Sequence, residues 1–423
     1  MNSPHCRFSR FAGKRVHLGV CGSIAAYRAL DALRGWIKAG LGVSATLTDA
    51  AQRFVTPLSF AALGAAPVYT RMFAQGDAAL EAPFGHLEPG QTAGAMVIAP
   101  ATAATLARLA QGAADDLLAC QALAFAGPLV VAPAMNPRMW AHPATQANVA
   151  TLVGRGVTVL TPGEGGTACG EEGQGRLADV RHVWQAALKA LSPQDMAGCR
   201  VMVTLGPTRE QWDAVRYWSN PSSGIMGAAL VTAAWLRGAE VYALCGPCVA
   251  SAASDVGQGT GVPWLPLGVR RVDVVSAREM FAAAQDLWPR MDMGLFTAAV
   301  ADFAPEAHGP EKFRKADAAQ GFSLRFVPNP DILRTLAANR REGQRVLGFA
   351  AETVEDLASA VRAKRADKGA DILVGNRLNC AGSGFGASTN AACVVDLHGR
   401  EEVWPQMSKA DMAWGLCSWL LRV

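Results

Sequence analysis

Residues 16–23 read VHLGVCGS, and this stretch with the residues after it decides the fold. The apolar run at 16–20 predicts a strand, and the CGS that follows predicts a tight turn. A helical pattern then covers 24–38, Gly40 ends it, and 43–47 is the next apolar run. Strand, glycine-containing turn, helix and strand in this order form a βαβ unit, the building block of parallel α/β sheets.

Length and composition limit the class of protein. The chain has 423 residues, enough for two or three domains of about 150 residues each. Hydrophobic residues make up 51% and charged residues 17%, which excludes a disordered chain. Lys and Arg number 39 against 35 Asp and Glu, and neither half of the chain has the basic excess of a nucleic-acid-binding surface.

No segment predicts export or membrane insertion. Residues 1–15 are polar and basic, without the apolar core of a signal peptide. Residues 117–137 carry no charge, but glycine and proline interrupt them, so they predict a buried helix followed by a buried strand. The ten cysteines are scattered rather than arranged as a disulfide framework. We therefore expect a cytoplasmic protein without membrane or nucleic-acid partners.

The same alternation of strands and helices runs through both halves of the chain. A helix predicted at 180–191 is followed by Ser192-Pro193, which we interpret as a linker between domains 1–191 and 192–423. Further apolar runs predict strands at 95–99, 129–132, 201–205, 240–244, 293–297, 346–349 and 371–374. This pattern predicts two Rossmann-like, three-layer α/β domains with parallel sheets.

Several residues of the first half place polar groups near the ends of predicted strands. Gly19-x-x-Gly22-Ser23 is either a phosphate-binding turn or only a tight strand-to-helix turn. Thr102 begins a predicted helix, where its hydroxyl would cap the helix or hold a phosphate. His86 is a single histidine, a type more often structural than catalytic. Cys169 lies in a glycine-rich segment that resembles a flap, where a reactive thiol is a fair hypothesis.

The segment PAMNPRMW at 133–140 gives the clearest signal of the first half. It places two methionines, a tryptophan and the amide of Asn136 directly after a predicted buried strand. Apolar side chains gathered in a loop indicate that something packs on them. We interpret the segment as a binding site in which Asn136 hydrogen-bonds a carboxylate or the edge of a flavin.

These motifs, in this order, resemble those of the homo-oligomeric flavin-containing cysteine decarboxylases. The resemblance implies a flavodoxin-like flavoprotein domain. It implies His86 as an essential acid–base residue, Asn136 as the group that grips the substrate carboxylate, and Cys169 as the proton donor. It implies FMN held by Gly22, Ser23, Thr48, Ser59, Ala101, Thr102 and Met135.

The implied chemistry fits these residue types. A carboxylate next to an amide nitrogen cannot leave easily, because nothing accepts its electrons. In the family's reaction the flavin oxidises the cysteine thiol to a thioaldehyde, which becomes the acceptor, and loss of CO2 forms an enethiolate. The reduced flavin then returns the hydride while Cys169 supplies the proton.

The charged motifs of the second half would act together only if they bound an anionic ligand. Ser222-Ser223-Gly224 precedes a predicted helix and would form an anion-binding nest. Asp302 follows a strand, residues 311–315 form a basic loop, and Lys364 and Lys368 share one helix face. Each of these also fits a solvated surface. A nucleoside triphosphate with Mg²⁺ would unite them, with the lysines on the phosphates and Asp302 on the metal.

The second half resembles phosphopantothenate–cysteine ligase through GPTRE at 206–210, SSGxMG at 222–227, AAVAD at 298–302, NPDI at 329–332 and GFAAET at 348–353. Together, the two halves resemble the bacterial bifunctional phosphopantothenoylcysteine decarboxylase/phosphopantothenate–cysteine ligases of coenzyme A synthesis. The resemblance implies that a substrate carboxylate attacks the α-phosphate of CTP, and that the amine of cysteine then displaces CMP from the acyl-cytidylate.

The residue roles of this half follow from the same resemblance. Asn220 would handle the acyl-cytidylate, Lys312 would be catalytic, and Asp302 would bind the metal. The nucleotide would be held by Phe296, Thr297, Ala298, Asp302, Lys312, Asn329, Pro330, Asp331, Ile332, Phe349, Lys364 and Lys368, with Asp331 in the first turn of a helix. The resemblance also implies a homo-oligomer, with a trimeric decarboxylase core and dimeric ligase halves that would together give a dodecamer.

Two departures from the family pattern keep alternatives open. Ile225 replaces a usual lysine, and Arg314 stands where lysine is common. A missing cation would weaken the ligase half, so one alternative is a flavin-dependent decarboxylase of another cysteine-containing substrate. A second alternative is a non-catalytic flavin-binding regulatory protein, against which the presence of His86 and Cys169 argues.

A CxxC at Cys245–Cys248 has the spacing of thioredoxin-type motifs. It has no second cysteine pair or histidine pair to complete a zinc site. We therefore do not expect a redox or metal role for it.

Overall fold

The computed structural model describes residues 4–72, 84–166, 170–248, 263–314, 321–377 and 387–423. It divides into two compact units, Ser9–Ser192 and Pro193–Val423, and residues 4–8 group with the second of them.

The first unit is a doubly wound α/β domain. Its sheet strands are β1 Arg15–Val20, β2 Gly42–Leu47, β3 Val68–Tyr69, β4 Ala95–Ala101, β5 Leu129–Pro133 and β6 Thr158–Val159. They pair in parallel in the order β3-β2-β1-β4-β5-β6, the order of the Rossmann fold. A separate antiparallel hairpin follows, made of β7 Gly163–Gly166 and β8 Glu172–Arg176.

The helices of this unit follow the predicted alternation. They are α1 Arg28–Lys38, α2 Pro57–Ala62, α3 Glu88–Thr92, α4 Ala103–Gln111, α5 Leu117–Leu123, α6 Pro137–Ala141, α7 Pro143–Gly154 and α8 Val180–Ala190. The predicted helix at 24–38 is correct except in its first turn, which is the 3-10 helix Ile24–Tyr27. Residues 117–137 contain a helix and then a strand, as predicted, and no described helix is long and apolar enough to cross a membrane.

The second unit repeats the parallel architecture and extends it. Its strands are β9 Arg200–Leu205, β10 Glu210–Gln211, β11 Tyr217–Trp218, β12 Glu240–Cys245, β13 Arg270–Asp273, β14 Met293–Phe296, β15 Phe303–Pro305, β16 Phe326–Pro328, β17 Arg345–Glu352, β18 Ile372–Arg377, β19 Thr389–Asp396 and β20 Glu401–Ser408. The main sheet has the order β13-β12-β9-β14-β17-β18-β19-β20. Its last two pairings, β18 with β19 and β19 with β20, are antiparallel. The two-strand hairpins β10-β11 and β15-β16 lie outside it.

Helices complete the second unit, and both sheets confirm the predicted class of two parallel-sheet α/β domains. The helices are α9 Ile225–Leu236, α10 Ala277–Leu287, α11 Ile332–Ala338, α12 Leu357–Lys368 and α13 Lys409–Leu420. The strands predicted at 201–205, 240–244, 293–297, 346–349 and 371–374 are present with small shifts of their ends. Asp331 is the N-cap of α11 rather than a residue of its first turn, because its carboxylate accepts from the backbone N–H of Arg334 at 3.0 Å.

Candidate functional sites

The first candidate site is a cavity of about 640 Å³ in the first unit. It lies where the loops after β1 and β5 meet the β7-β8 hairpin, at the carboxyl ends of parallel strands, where ligands bind in open α/β sheets. Its lining residues are Ser23, Ile24, Ala25, Tyr27, Arg28, Ala134, Met135, Asn136, Gly163, Glu164, Gly166, Gly175, Arg176, Leu177, Ala178 and Asp179.

The turn after β1 is closely packed. The hydroxyl of Ser23 accepts from the backbone N–H of Ala25 and caps the 3-10 helix. A Cβ on Gly22 would lie 2.4 Å from the Cβ of Ala50, so only glycine fits there. The tight-turn interpretation therefore holds, and Ser23 at the same time faces the cavity.

Of the residues expected to hold the flavin, Ser23 and Met135 are the ones that line this cavity within the described parts of the chain. The hydroxyls of Thr102, Thr48 and Ser59 form hydrogen bonds within their own segments instead. Thr102 caps α4 by accepting from the N–H of Thr105 at 3.3 Å, and Thr48 accepts from the N–H of Ala51 at 3.2 Å. Ser59 Oγ lies 3.0 Å from Thr56 Oγ1. Gly22 and Ala101 contribute backbone at the ends of β1 and β4.

Asn136 already interacts with a carboxylate. It is the N-cap of α6, and its Oδ1 accepts from the N–H of Arg138 at 2.8 Å. Its Nδ2 donates to Glu171 Oε2 at 2.9 Å, and Glu171 also forms an ion pair with Arg138 at 3.0 Å. The amide orientation is thus fixed with the NH2 group toward an acid. The sequence reading missed Glu171, which lies 35 residues away in the chain.

The β7-β8 hairpin is fixed to the loop that bears Asn136. Met135 N–H donates to the carbonyl of Gly175 at 2.9 Å, and Trp140 Nε1 donates to Gln174 Oε1 at 3.0 Å. A Cβ on Gly175 would lie 2.3 Å from the carbonyl oxygen of Met135. This close approach requires glycine, and it explains part of the glycine content of the segment.

His86 is not among the described residues that line the first cavity. His86 is half-buried in the turn before α3, with its ring 6.4 Å from that of Phe84. Cys169 lies outside the described residues.

The second candidate site is a cavity of about 570 Å³ in the second unit. It opens at the carboxyl ends of β9, β14, β17 and β18. It is lined by Thr204, Asn220, Pro221, Ser222, Ser223, Gly224, Ile225, Met226, Gly227, Phe296, Thr297, Ala298, Ala299, Val300, Ala301, Asp302, Asn329, Pro330, Asp331, Ile332, Leu333, Phe349, Ala351, Lys364, Lys368, Asn376, Asn390 and Lys409. Within the described chain, this set holds Asn220 and every residue expected to bind the nucleotide except Lys312.

The two lysines of α12 each face a carboxylate. Lys364 Nζ lies 3.0 Å from Glu352 Oε1, and Lys368 forms an ion pair with Asp331. Both pairs border the cavity, so the lysines are held toward it by acids that a phosphate ligand would have to replace or outcompete.

Two asparagines shape the loop that carries Asp302. Asn220 Nδ2 donates to the carbonyl of Val300 at 3.0 Å, and Asn329 Nδ2 donates to the carbonyl of Ala301 at 2.9 Å. Asp302 is exposed, and its carboxylate has no hydrogen bond or ion pair to any described residue. The described residues contain no cluster of three or more His, Cys, Asp or Glu that could hold a metal.

The expected anion nest is the start of α9. Gly224 is the N-cap with a φ of +69°, and its N–H donates to Ser222 Oγ at 3.3 Å. A Cβ on Gly227 would lie 2.6 Å from Thr297 Oγ1, so glycine lets the helix start approach the β14 loop. Ile225, half-buried, lines the cavity here in place of the lysine usual in the family.

Lys312 is the exception among the expected residues. It is exposed, and the next residue, Phe313, is tied down because its N–H donates to Asp213 Oδ2 at 3.1 Å and its ring packs 5.1 Å from that of Trp212. Conversely, the buried Lys409 lines the cavity, and the sequence reading missed it. Its only sequence signal is a basic residue at the start of an apolar helix.

The CxxC has the features of a structural pair. Cys245 and Cys248 are both buried free thiols. Burial raises the pKa of Cys245 to about 12 and that of Cys248 to about 11, so both thiols stay protonated near neutral pH.

Comparison with known proteins places the chain in a family. Residues 9–192 match the Flavoprotein family, and residues 196–423 match the DNA/pantothenate metabolism flavoprotein C-terminal domain. The coenzyme A biosynthesis bifunctional protein CoaBC of Escherichia coli K12 is 40% identical over 385 residues, 90% of each chain. CoaBC of Vibrio cholerae serotype O1 is 36% identical over 402 residues, 95% of this chain and 96% of that protein. The crystal structure of a CoaBC C-terminal domain is 29% identical, with a TM-score of 0.42 over 53% of this chain and 95% of that one. The chain therefore belongs to the family of bifunctional coenzyme A biosynthesis proteins.

Proposed function

We propose that the chain catalyses two consecutive steps of coenzyme A biosynthesis. The second unit couples 4′-phosphopantothenate with cysteine at the expense of CTP, through an acyl-cytidylate. The first unit decarboxylates the resulting phosphopantothenoylcysteine to 4′-phosphopantetheine with FMN. The observation that carries the proposal is the second cavity, which gathers Asn220, Asp302 and the α12 lysines Lys364 and Lys368 from three separate segments around one space.

The chemistry of the first cavity fits FMN. Ile24 and Met135 offer apolar walls, and the capped turn at Ser23 offers backbone N–H groups to a phosphate. When bound, FMN supplies the two-electron oxidation of the substrate thiol carbon and its later reversal. The protein's own part is to orient the substrate. Asn136 would donate to the substrate carboxylate in place of Glu171, while His86 and Cys169 would handle protons.

The chemistry of the second cavity fits a magnesium nucleotide. Asp302 is an uncommitted carboxylate, and Mg²⁺ in nucleotide sites is commonly held by one or two carboxylates together with the phosphates. The N–H groups at the start of α9 face the same space and suit a phosphate of the nucleotide or of phosphopantothenate. Asn220 stabilises the acyl-cytidylate, and Lys312, in the loop after β15, binds the phosphates.

Exposed apolar side chains support a homo-oligomer built around the first unit. Ile24, Leu58 and Phe84 are 61%, 75% and 64% exposed. Each lies one or two residues from a residue proposed to serve the flavin or the reaction, namely Ser23, Ser59 and His86. Apolar groups at such positions are expected to be covered, and a second copy of the chain would cover them, as a trimeric core requires.

A product assay tests both reactions. Purified protein is incubated with 4′-phosphopantothenate, cysteine, Mg²⁺ and either CTP or ATP, and the products are identified by mass spectrometry. Formation of 4′-phosphopantetheine with CTP is expected. Accumulation of phosphopantothenoylcysteine would refute the decarboxylase assignment, and no coupling with either nucleotide would refute the ligase assignment.

A second candidate function follows from Ile225. Because isoleucine at this position brings no cation to the anion nest, the second candidate is a decarboxylase with a weakened ligase half. Turnover of phosphopantothenoylcysteine added directly, together with no coupling, would support that alternative.

A further inference from the structure

A continuous chain of hydrogen bonds runs through the core of the first unit, and the proposed function does not use it. It begins at His17 on β1, which has no exposed surface. Its two ring nitrogens face hydroxyls of β2. His17 Nδ1 lies 2.8 Å from Ser44 Oγ, and His17 Nε2 lies 3.0 Å from Thr46 Oγ1. A buried imidazole is costly unless its nitrogens are satisfied, and here both are.

The chain continues from the sheet to the segment that carries His86. Thr46 Oγ1 donates to Gln121 Oε1 at 2.6 Å, and Gln121, fully buried on α5, donates through Nε2 to the carbonyl of Gly85 at 2.8 Å. Gly85 directly precedes His86. The last bond therefore fixes the peptide group that joins these two residues.

The direction of each bond from Gly85 back to His17 Nε2 is determined. A carbonyl can only accept, so Gln121 must present its NH2 group to Gly85 and its Oε1 to Thr46. The single hydroxyl proton of Thr46 is then used, and Thr46 must accept from His17 Nε2–H. Ser44 in turn donates to His17 Nδ1, which agrees with a neutral imidazole.

Backbone hydrogen bonds close the turn that bears His86. The N–H groups of Leu87 and Glu88 donate to the carbonyl of Phe84 at 2.8 and 3.0 Å. His86 thus lies in a short closed turn whose peptide group at residue 85 is bonded to the buried Gln121.

We propose that Gln121 is a positioning residue for His86, and that the His17–Thr46–Gln121 chain sets the orientation of the turn from which His86 acts on the substrate. This inference rests on the catalytic role of His86 in the proposed function. Apolar side chains would fill the same space without unsatisfied groups, so packing alone does not require a polar chain here. An apolar core would lack the last bond of this chain, from Gln121 to the carbonyl of Gly85.

The test is Gln121→Met, an unbranched replacement without a donor. We expect kcat for decarboxylation to fall about 10- to 100-fold, the scale of a misplaced catalytic group. KM for phosphopantothenoylcysteine, FMN occupancy and ligase turnover should stay within about twofold. Deuterium exchange of a peptide covering residues 84–92 should become faster.

The matched control is Gln185→Met. Gln185 is also fully buried, but its amide atoms meet no hydrogen-bond partner among the described residues. We expect this variant to keep the decarboxylation kcat and the exchange rate of residues 84–92. If Gln121→Met behaves like Gln185→Met, or if it loses FMN and ligase turnover as well as kcat, the positioning role is refuted.

Two further variants separate the possible failures. If His86→Ala retains decarboxylation, the proposed function of His86 is wrong, whatever Gln121 does. If Gln121→Met does not fold, Thr46→Val removes only the hydroxyl that links His17 to Gln121. It should lower kcat in the same direction without changing KM, and an unchanged kcat would overturn the proposal.

Discussion

His17 makes the stability of the first unit sensitive to acid. The side chain is fully buried on β1 between Ser44 and Thr46. Burial lowers its pKa from the ordinary value of 6.5 to about 3, because the charged imidazolium would lose its hydration in the core. The perturbation that tests this is a decrease in pH, compared between the natural chain and His17→Gln, which cannot be protonated.

The magnitude follows from the two pKa values. Above pH 6.5 the histidine is neutral in both the folded and the unfolded chain, so its full contribution to stability is present. Between 6.5 and about 3 the unfolded chain binds a proton that the folded chain does not, so the free energy of unfolding falls as the pH falls. Each pH unit in this window costs about 1.4 kcal/mol, so a decrease to about pH 5 removes about 2 kcal/mol.

The assay is urea unfolding of the full chain at about pH 7 and about pH 5, followed by circular dichroism and by flavin fluorescence, which reports on the first unit. His17→Gln should lose about 2 kcal/mol less than the natural chain over this interval, even if it is less stable at both pH values. An equal loss in His17→Gln and in the natural chain would refute the description of His17 as a buried neutral group.

Three more predictions concern the two sites. Gly175→Ala should reduce FMN content and decarboxylation at least about tenfold while ligase turnover persists, because its Cβ would overlap the carbonyl of Met135 at 2.3 Å; Gly154→Ala, where a Cβ meets nothing within 4 Å, is the control in the same product assay. Lys368→Gln should raise KM for CTP about tenfold with little effect on decarboxylation, and an unchanged KM in steady-state kinetics would exclude a phosphate contact. Ile225→Lys should lower KM for the anionic substrates of the ligase about three- to tenfold, since it adds a cation to the start of α9; a raised KM would show that the isoleucine is adapted to this chain's substrate.

Local patterns predicted the elements of both units because each strand and helix is specified within a few residues. The run at 16–20 with its CGS turn became β1 and a capped 3-10 helix. The pair Lys364 and Lys368 shares one face of α12, as their spacing predicted, because residues four apart are neighbours on a helix. Strand ends could be anticipated as ligand sites because parallel strands present their carboxyl ends at one edge.

The contacts that sequence reading missed join residues far apart in the chain. Glu171 meets Asn136 across 35 residues, and Thr46 meets Gln121 across 75. Such pairs leave no periodic signal, because each partner separately looks like an ordinary surface acid or an isolated core polar residue. Lys312 shows the opposite case. It belongs to the expected basic motif, but it is exposed and does not line the cavity, and the neighbouring Phe313 N–H donates to Asp213. Its role in nucleotide binding stays a prediction.

The ion pairs of the second cavity give a physical reason for the proposed use of Mg²⁺. Lys364 and Lys368 are paired with Glu352 and Asp331, so these four side chains bring no net positive charge to a nucleotide. A triphosphate that engaged either lysine would lie close to the acid released from it, and like charges at such distances repel. Ile225 adds no charge at the helix start that would offset this repulsion. In the proposed function, positive charge beyond that of Lys409 would arrive with the nucleotide as Mg²⁺, and Asp302, the cavity carboxylate not paired with a described cation, is proposed to receive that metal.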